Sequence, residues 1–397
     1  ACPSRATVTS CPHPRRVPSS TRRATASSSA TRAGSGPGGR ARLVMVGPRF
    51  GAYVEAVAAE LASRGITVAV FDEKASNSNL AKIACRLGLP LPQRARQRRY
   101  LAALAQRLLD ERWEAVLICA PELIDREFVA RLVAGGVRVH LYSWDGSRNK
   151  GRYRSYLDLL SSRGSFDPDD AAAYGMAYFP LFAQAAFLPP DAQLAAPPRW
   201  EIAFCGTIHS GRAELLAGLR RIARRRGWRL VLFPYYHSRG LFLLRSLARP
   251  GGFALLDRLS ARPFAQARVV EACVGSAAVL DIVHPGQAGL TARTFEALGC
   301  GALVLTNHPR ACALVPPMLR NRVLVFDSLE TLARLASAGL ARPGPLPAGA
   351  RYALSLTRFV DQLIAMAGLG EGLISPEGRA WAGAASGAGG AAAIAPE

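Results

Sequence analysis

Between residues 42 and 327 the chain alternates two kinds of hydrophobic pattern. Short apolar runs rich in β-branched residues, RLVMVG (42–47), TVAVFD (67–72), EAVLICA (114–120) and VRVHLYSW (137–144), read as strands largely buried on both faces. Stretches of helical period lie between them, such as AYVEAVAAELASRG, which stops at Gly65. After a proline-rich joint, PPDAQLAAPP (189–198), the alternation resumes with EIAFCG (201–206), a basic helix to Gly227, RLVLFP (229–234) and a mostly helical stretch to about Gly275. AVLDIV (278–283), ALVLTN (302–307) and RVLVFD (322–327) close it. This order predicts an α/β chain of two Rossmann-like, doubly wound sheets facing a cleft, with ligands expected beyond the carboxyl ends of the strands.

The expected organisation is a tail over 1–41, a first α/β domain over 42–190, a second over 191–345, a helical segment over 346–370 and a Gly/Ala-rich tail over 371–397. Residues 1–42 have no apolar period and a composition that cannot bury enough surface to fold. Their lack of acids fits an organelle transit peptide or an upstream extension of the reading frame.

Charge changes the picture less than its size suggests. The formal charge is +22, but residues 1–42 hold eight arginines and no acid, so 22 − 8 leaves +14 for the rest. Only Lys74, Lys82 and Lys150 are lysines, and an arginine excess of this kind can come from base composition, so no nucleic-acid partner is expected. LRRIARRRGW (219–228) sets five arginines on a helix with Leu215, Leu216, Leu219 and Ile222. It reads as a solvated face, or as a surface for anionic lipid or nucleic acid. The eight cysteines are scattered without a C-x-x-C pair, which suggests a reducing compartment and no zinc site. No apolar run reaches the roughly 18 residues of a membrane-spanning helix.

Candidate chemistry gathers after the strands. GPRFG brings Gly47 and Gly51 to the first strand-to-helix turn, but without the G-x-G-x-x-G spacing a tight turn is the better reading than a dinucleotide site. FDPDD (166–170) has the D-x-D of a metal-binding carboxylate pair, yet Asp167, Pro168 and Asp170 also fit a helix cap, and the expectation is a cap and no metal. In YSWDGSRN (142–149), Trp144 and Asp145 suit the ring face and carboxylate of a sugar site, or an Asp-Gly-Ser turn with Trp144 packed inward. FCGTIHSGR (204–212) places Gly206, Thr207, His209 and Arg212 ahead of a helix, where free N–H groups and a guanidinium hold phosphate.

The densest stretch is DIVHPGQAGLTARTFEALGCG, in which His284, Gln287, Gly289, Leu290, Thr291, Arg293 and Glu296 fall within thirteen residues. Thr291 sits where a helix should begin, and Arg293 and Glu296 lie three apart on one face. They read as a surface ion pair, or as a phosphate and ribose site in which Gly289, Gly299 and Gly301 let backbone and ligand approach.

HPGQAGLTARTFEALGCGALVLTN, with FCGTIHSGR, LYSWD and SFDPDD upstream, resembles bacterial glycosyltransferases of the GT-B fold from lipopolysaccharide and capsular polysaccharide biosynthesis. The resemblance implies a nucleotide-sugar donor in the second half, a glycan or lipid-linked acceptor in the first, no cofactor, and transfer without bound metal. It also implies a place in the cytoplasm or on the inner face of its membrane. Glu296 matches the acid that binds donor ribose, and Thr291 and Arg293 match the phosphate side. Arg212 and Arg293 become the groups facing the leaving diphosphate, and on an inverting route Asp145 becomes the base for the acceptor hydroxyl. Many retaining members carry another Glu eight residues before the ribose acid, where this chain has Ala288, so retaining and inverting routes both stay open.

Overall fold

The computed structural model describes residues 41–48, 53–75, 91–209, 211–248 and 250–387. The tail over 1–40, Gly51, and Cys2, Cys11 and Cys85 lie outside the described residues.

Six parallel strands form the first sheet, in the order β2-β1-β3-β4-β5-β6. They are β1 (Arg42–Gly47), β2 (Thr67–Asp72), β3 (Ala115–Cys119), β4 (Arg138–Ser143), β5 (Ser162–Ser165) and β6 (Ala177–Tyr178). The second sheet is five parallel strands in the order β11-β10-β9-β7-β8: β7 (Trp200–Thr207), β8 (Leu230–Tyr235), β9 (Ser276–Asp281), β10 (Leu303–Thr306) and β11 (Val323–Val325). β3 and β9 are buried along their whole length, as apolar strands covered by helices on both faces must be. Strand order reverses between β1 and β3 and again between β7 and β9, and the carboxyl ends of those pairs are where loops splay apart.

The longer helices are α1 (Tyr53–Ser63), α2 (Leu91–Asp110), α3 (Arg126–Ala134), α4 (Pro168–Tyr174), α5 (Arg212–Arg226), α6 (Arg239–Ala248), α7 (Gln266–Val274), α8 (Ala292–Gly299), α9 (Leu329–Ser337), α10 (Leu356–Ala367) and α11 (Pro376–Gly387). α4 begins as FDPDD implies: Asp167 accepts from the N–H groups of Asp169 and Asp170 at 3.0 and 3.2 Å, with Pro168 in the first turn.

Three features depart from the linear reading. β5 and β6, SRGS and AY, carry no β-branched residue and were not foreseen as strands. α10 does not stand alone: Phe359, Val360, Leu363 and Ile364 enter the first sheet's core beside Leu43, Met45, Leu117, Tyr142 and Phe182. The stretch from 371, expected as a tail, is helical over Pro376–Gly387, and Trp381 packs on Tyr352 with ring centroids 5.5 Å apart.

β5 and α10 explain each other. A Cβ on Gly164 would lie 2.7 Å from the Phe179 ring and 2.8 Å from Met366 Sδ, so glycine is what lets α10 cross there. Arg358 is buried and donates to the Leu181 and Pro180 carbonyls at 2.9 and 3.3 Å, while burial lowers its pKa to about 10. Arg64 of α1 bridges Glu60 and Asp361 of α10. Phe359 is 1% exposed, so Phe359→Ala is expected to destabilise the fold by about 3–5 kcal/mol, read as a lower urea midpoint with an unchanged slope.

Candidate active site

Two loops from the second sheet meet at the carboxyl ends of its central strands. β7 ends at Thr207, and the turn that follows brings in His209 and, at the first position of α5, Arg212. β9 ends at Asp281, and His284 follows, its ring centroid 5.3 Å from that of His209. The Arg212 guanidinium crosses between the two loops, donating to the Thr207 carbonyl at 2.8 Å and to the Ile282 carbonyl. A side chain on Gly206 would approach that guanidinium at 3.5 Å. Among the described residues no carboxylate lies within ion-pair distance of Arg212. Its Nε and Nδ1 of His209 are buried with no protein partner. Burial lowers the Arg212 pKa to about 10, which leaves it charged, and lowers His209 to about 4, helped by Arg212 and His284, which leaves it neutral at physiological pH.

The loop from His284 to Leu290 is held by the protein on every side. Asn307 accepts from Val283 N–H at 2.8 Å, Gln287 folds back onto the Gly289 carbonyl at 2.8 Å, and His308 Nε2 lies 2.9 Å from the Ala288 carbonyl. Leu290 is buried in the second core. Gly289 was expected to admit a ligand, but a Cβ there would lie 2.5 Å from the Phe166 carbonyl oxygen and 2.6 Å from its ring. The close neighbour is therefore the first half of the chain. Ala288 N–H donates to Asp167 Oδ2 at 3.0 Å, and Arg310 pairs with Asp169 at 2.7 Å. Position 288, which has no acid of its own, meets a carboxylate from the opposite sheet. Gly299 likewise faces the Phe187 carbonyl, whose oxygen would lie 2.6 Å from an added Cβ.

α8 starts at Thr291, whose hydroxyl accepts from Arg293 N–H at 3.1 Å. Thr291 and Thr294 both donate to Asp281 Oδ2, at 2.8 and 2.6 Å, which fixes the helix on the end of β9. Arg293 and Glu296 pair at 2.6 Å, but not on the surface: Glu296 is 2% exposed and accepts from Tyr53 Oη of α1. Burial raises the Glu296 pKa despite Arg293. Burial alone would lower the Arg293 pKa, but Glu296 and its other polar neighbours raise it, and the ion pair persists. In this conformation the carboxylate expected to meet ribose is closed over by Tyr53, and Arg293 faces inward toward Cys273 Sγ at 3.9 Å.

In the first half, Gly47 is pressed against β3: a Cβ would lie 2.7 Å from the Cys119 carbonyl, so strand packing requires this glycine. Trp144 is half-buried against the core, edge-on to Tyr142. Asp145 is part-exposed and pairs with Lys150 at 2.7 Å; Lys150 also reaches Glu122 at 2.6 Å, and Glu122 reaches Lys74. Two of the chain's three lysines thus sit in one network at the carboxyl ends of β2, β3 and β4. Beneath it Glu73 is fully buried and accepts from the N–H groups of Glu122 and Leu123, yet burial raises its pKa to about 7. None of Tyr53, Glu73 or His308 was a candidate, and each acts through a contact distant in sequence, whereas Asp281 opens the densest stretch and anchors that stretch's own threonines. The scarcity of lysine was the one sequence signal that marked Lys74 and Lys150.

Arg293→Ala strips the buried Glu296 of its counter-charge and is expected to destabilise the protein by about 3–5 kcal/mol in chemical denaturation, with much of the loss recovered in Arg293→Ala/Glu296→Gln. Glu73 titrates near 4.5 in an unfolded chain and near 7 when folded, so folding favours its protonated form. Its contribution is full below pH 4.5 and lost as pH rises to about 7, so Glu73→Gln is expected to be relatively more stable than the parent at pH 8 than at pH 4.5, by a melting-temperature profile.

A family model described as "Glycosyl transferase-like" matches residues 242–355, from α6 to the residues before α10. A sequence search of curated proteins returns no match. Several solved structures share the fold across both halves. The α,α-trehalose 6-phosphate synthase of Burkholderia multivorans aligns at 14% identity and a TM-score of 0.54, over 88% of this chain and 98% of its own. Anabaena HepE, solved with UDP and glucose, aligns at 10% identity and 0.54, over 82% and 98%. A glycosyltransferase from Rickettsia africae aligns at 11% and 0.52, over 83% and 98%. At such identities the likeness is one of fold. Two facing Rossmann-like halves, matched together along nearly the whole of these neighbours, give this chain a GT-B fold, and its second half carries the glycosyl-transferase-like match.

Proposed function

We propose that the chain is a glycosyltransferase that moves a sugar from a nucleotide-sugar donor to a glycan or lipid-linked acceptor in the assembly of a cell-surface polysaccharide. One observation carries the donor site: Arg212, a guanidinium with no carboxylate within ion-pair distance among the described residues, stands with neutral His209 and with His284 at the switch point between β7 and β9. A half-buried cation held by carbonyls alone has unmet attraction for an anion, and a nucleoside diphosphate at this crevice supplies two phosphates. The match over 242–355 and the UDP bound to Anabaena HepE support the same donor class.

Bond breaking between the anomeric carbon and the diphosphate places negative charge on the departing phosphate oxygens. Arg212 and an N–H of His209 stabilise that charge from a preorganised position. In this reading the guanidinium supplies the positive charge, and no metal is needed for the step. On the facing half, Asp145 accepts the proton of the acceptor hydroxyl, while Lys150 holds and orients its carboxylate at 2.7 Å. Trp144 offers part of its ring to the sugar's C–H face. Glu296 meets the donor ribose only when Tyr53 withdraws, so opening between α1 and α8 accompanies donor entry.

The test is nucleoside diphosphate release from a panel of nucleotide sugars, with donor binding followed by thermal shift. Arg212→Gln is expected to lower kcat/KM by about tenfold to a thousandfold. Asp145→Asn is expected to lower kcat with donor affinity unchanged, since it touches only the acceptor side. An Arg212→Gln protein that binds and turns over donor like the parent would sink the donor-site assignment.

A further inference from the structure

Among the described residues seven large hydrophobic side chains are exposed, and five fall between residues 241 and 253. α6 carries four of them, Leu241, Leu243, Leu244 and Leu247, at 42%, 45%, 62% and 68% exposure. Among its described side chains Phe242 and Ser246 are buried, on the side opposite the four leucines, so the helix turns a broad leucine face outward. Phe253, 41% exposed, extends that face along the 3₁₀ turn Pro250–Leu255, which packs against both α5 and α6. Soluble surfaces rarely leave so contiguous an apolar patch uncovered.

The neighbouring charges choose the occupant. α5 buries Leu216, Leu219 and Ala223, the two leucines in the core of the second sheet, so the apolar side of the basic helix is not free to enter lipid and its arginines face outward. Its outer side presents Arg221, Arg224 and Arg225 beside Phe253, with no carboxylate partner among the described residues, while Asp257 is held by Arg220 at 2.7 Å. A second copy of the chain would bring an identical arginine-flanked face against this one. Residues 1–42 carry eight arginines and no acid, the same sign of charge as this face.

We infer that the leucine face of α6, flanked by the arginines of α5, docks on an anionic lipid bilayer, with the leucines entering the interface and the guanidiniums meeting headgroup phosphates. α6 begins just past the carboxyl end of β8, at the crevice side of the second sheet, so docking sets the crevice beside the bilayer. The surface is separate from the donor site, and its failure leaves the proposed reaction standing.

Vesicle co-sedimentation of the full chain decides it. Vesicles of phosphatidylcholine with about 30% phosphatidylglycerol, at about 0.1 M salt, should bind at least about tenfold more protein than phosphatidylcholine alone, and about 1 M salt should release most of it. Leu244→Glu/Leu247→Glu and, separately, Arg221→Gln/Arg224→Gln/Arg225→Gln should each cut binding by about tenfold or more, with melting temperature and the shift given by UDP unchanged. Binding that survives the leucine changes, or that is equal on phosphatidylcholine alone, overturns the inference. So does sedimentation equilibrium showing a dimer that those leucine changes dissolve, since a second copy would then be the occupant.

Discussion

The constraint on which the architecture hangs is that the core of the first half is completed by a helix from the end of the chain. Phe359, Val360, Leu363 and Ile364 pack over β1, β3 and β4 beside Val54, Val57 and Leu61 of α1. Each is at most 1% exposed, and each buried side chain of this size contributes on the order of 1.5–3 kcal/mol. The chain must therefore pass between the halves twice, once around 179–199 and again before α10. Gly164, Arg358 and the Arg64–Asp361 pair exist to let that return fit: one clears the path, and the others neutralise what the crossing buries.

Where the halves meet, the same logic governs polar groups. Asp167 caps α4 and also takes the Ala288 N–H of the opposite loop; Glu296 takes Tyr53 as well as Arg293. Each carboxylate satisfies a local and a distant partner, so the seam is specific without being strongly apolar. Arg212 differs from these carboxylates in charge and place: its hydrogen-bond partners are carbonyls, like those of buried Arg358, but it stands at the carboxyl ends of β7 and β9. Carboxylates at the seam are thus paired across the two halves, and a positive charge is left at the carboxyl ends of β7 and β9.

Much of this was legible in the strands. β1, β2, β3, β4, β7, β8, β9 and β10 appear within two residues of the apolar runs that announce them, because strands buried on both faces, such as β3 and β9, cannot hide their composition, and even the half-buried β2 keeps an apolar, β-branched run. β5 and β6 were not legible: SRGS is strand only because His140↔Ser162 and Tyr142↔Gly164 pairing and the cover of α10 make it so. The FDPDD cap was legible, since capping is a matter of neighbouring residues. The burial of Glu296 was not, because Tyr53 lies 243 residues away.

The sequence by itself determined the α/β class, the two halves and the loops that reach the crevice, since hydrophobic period and capping chemistry act over a few residues. It also brought Gly206, Thr207, His209, Arg212 and His284 to the two loops that converge. Only the tertiary structure decided what Gly289 is for, which carboxylate Ala288 meets, and that the apolar surface left open belongs to α6 rather than to the basic helix before it. The reason is physical: exposure, pairing and close approach are relations between residues far apart in the chain, and no local pattern records them.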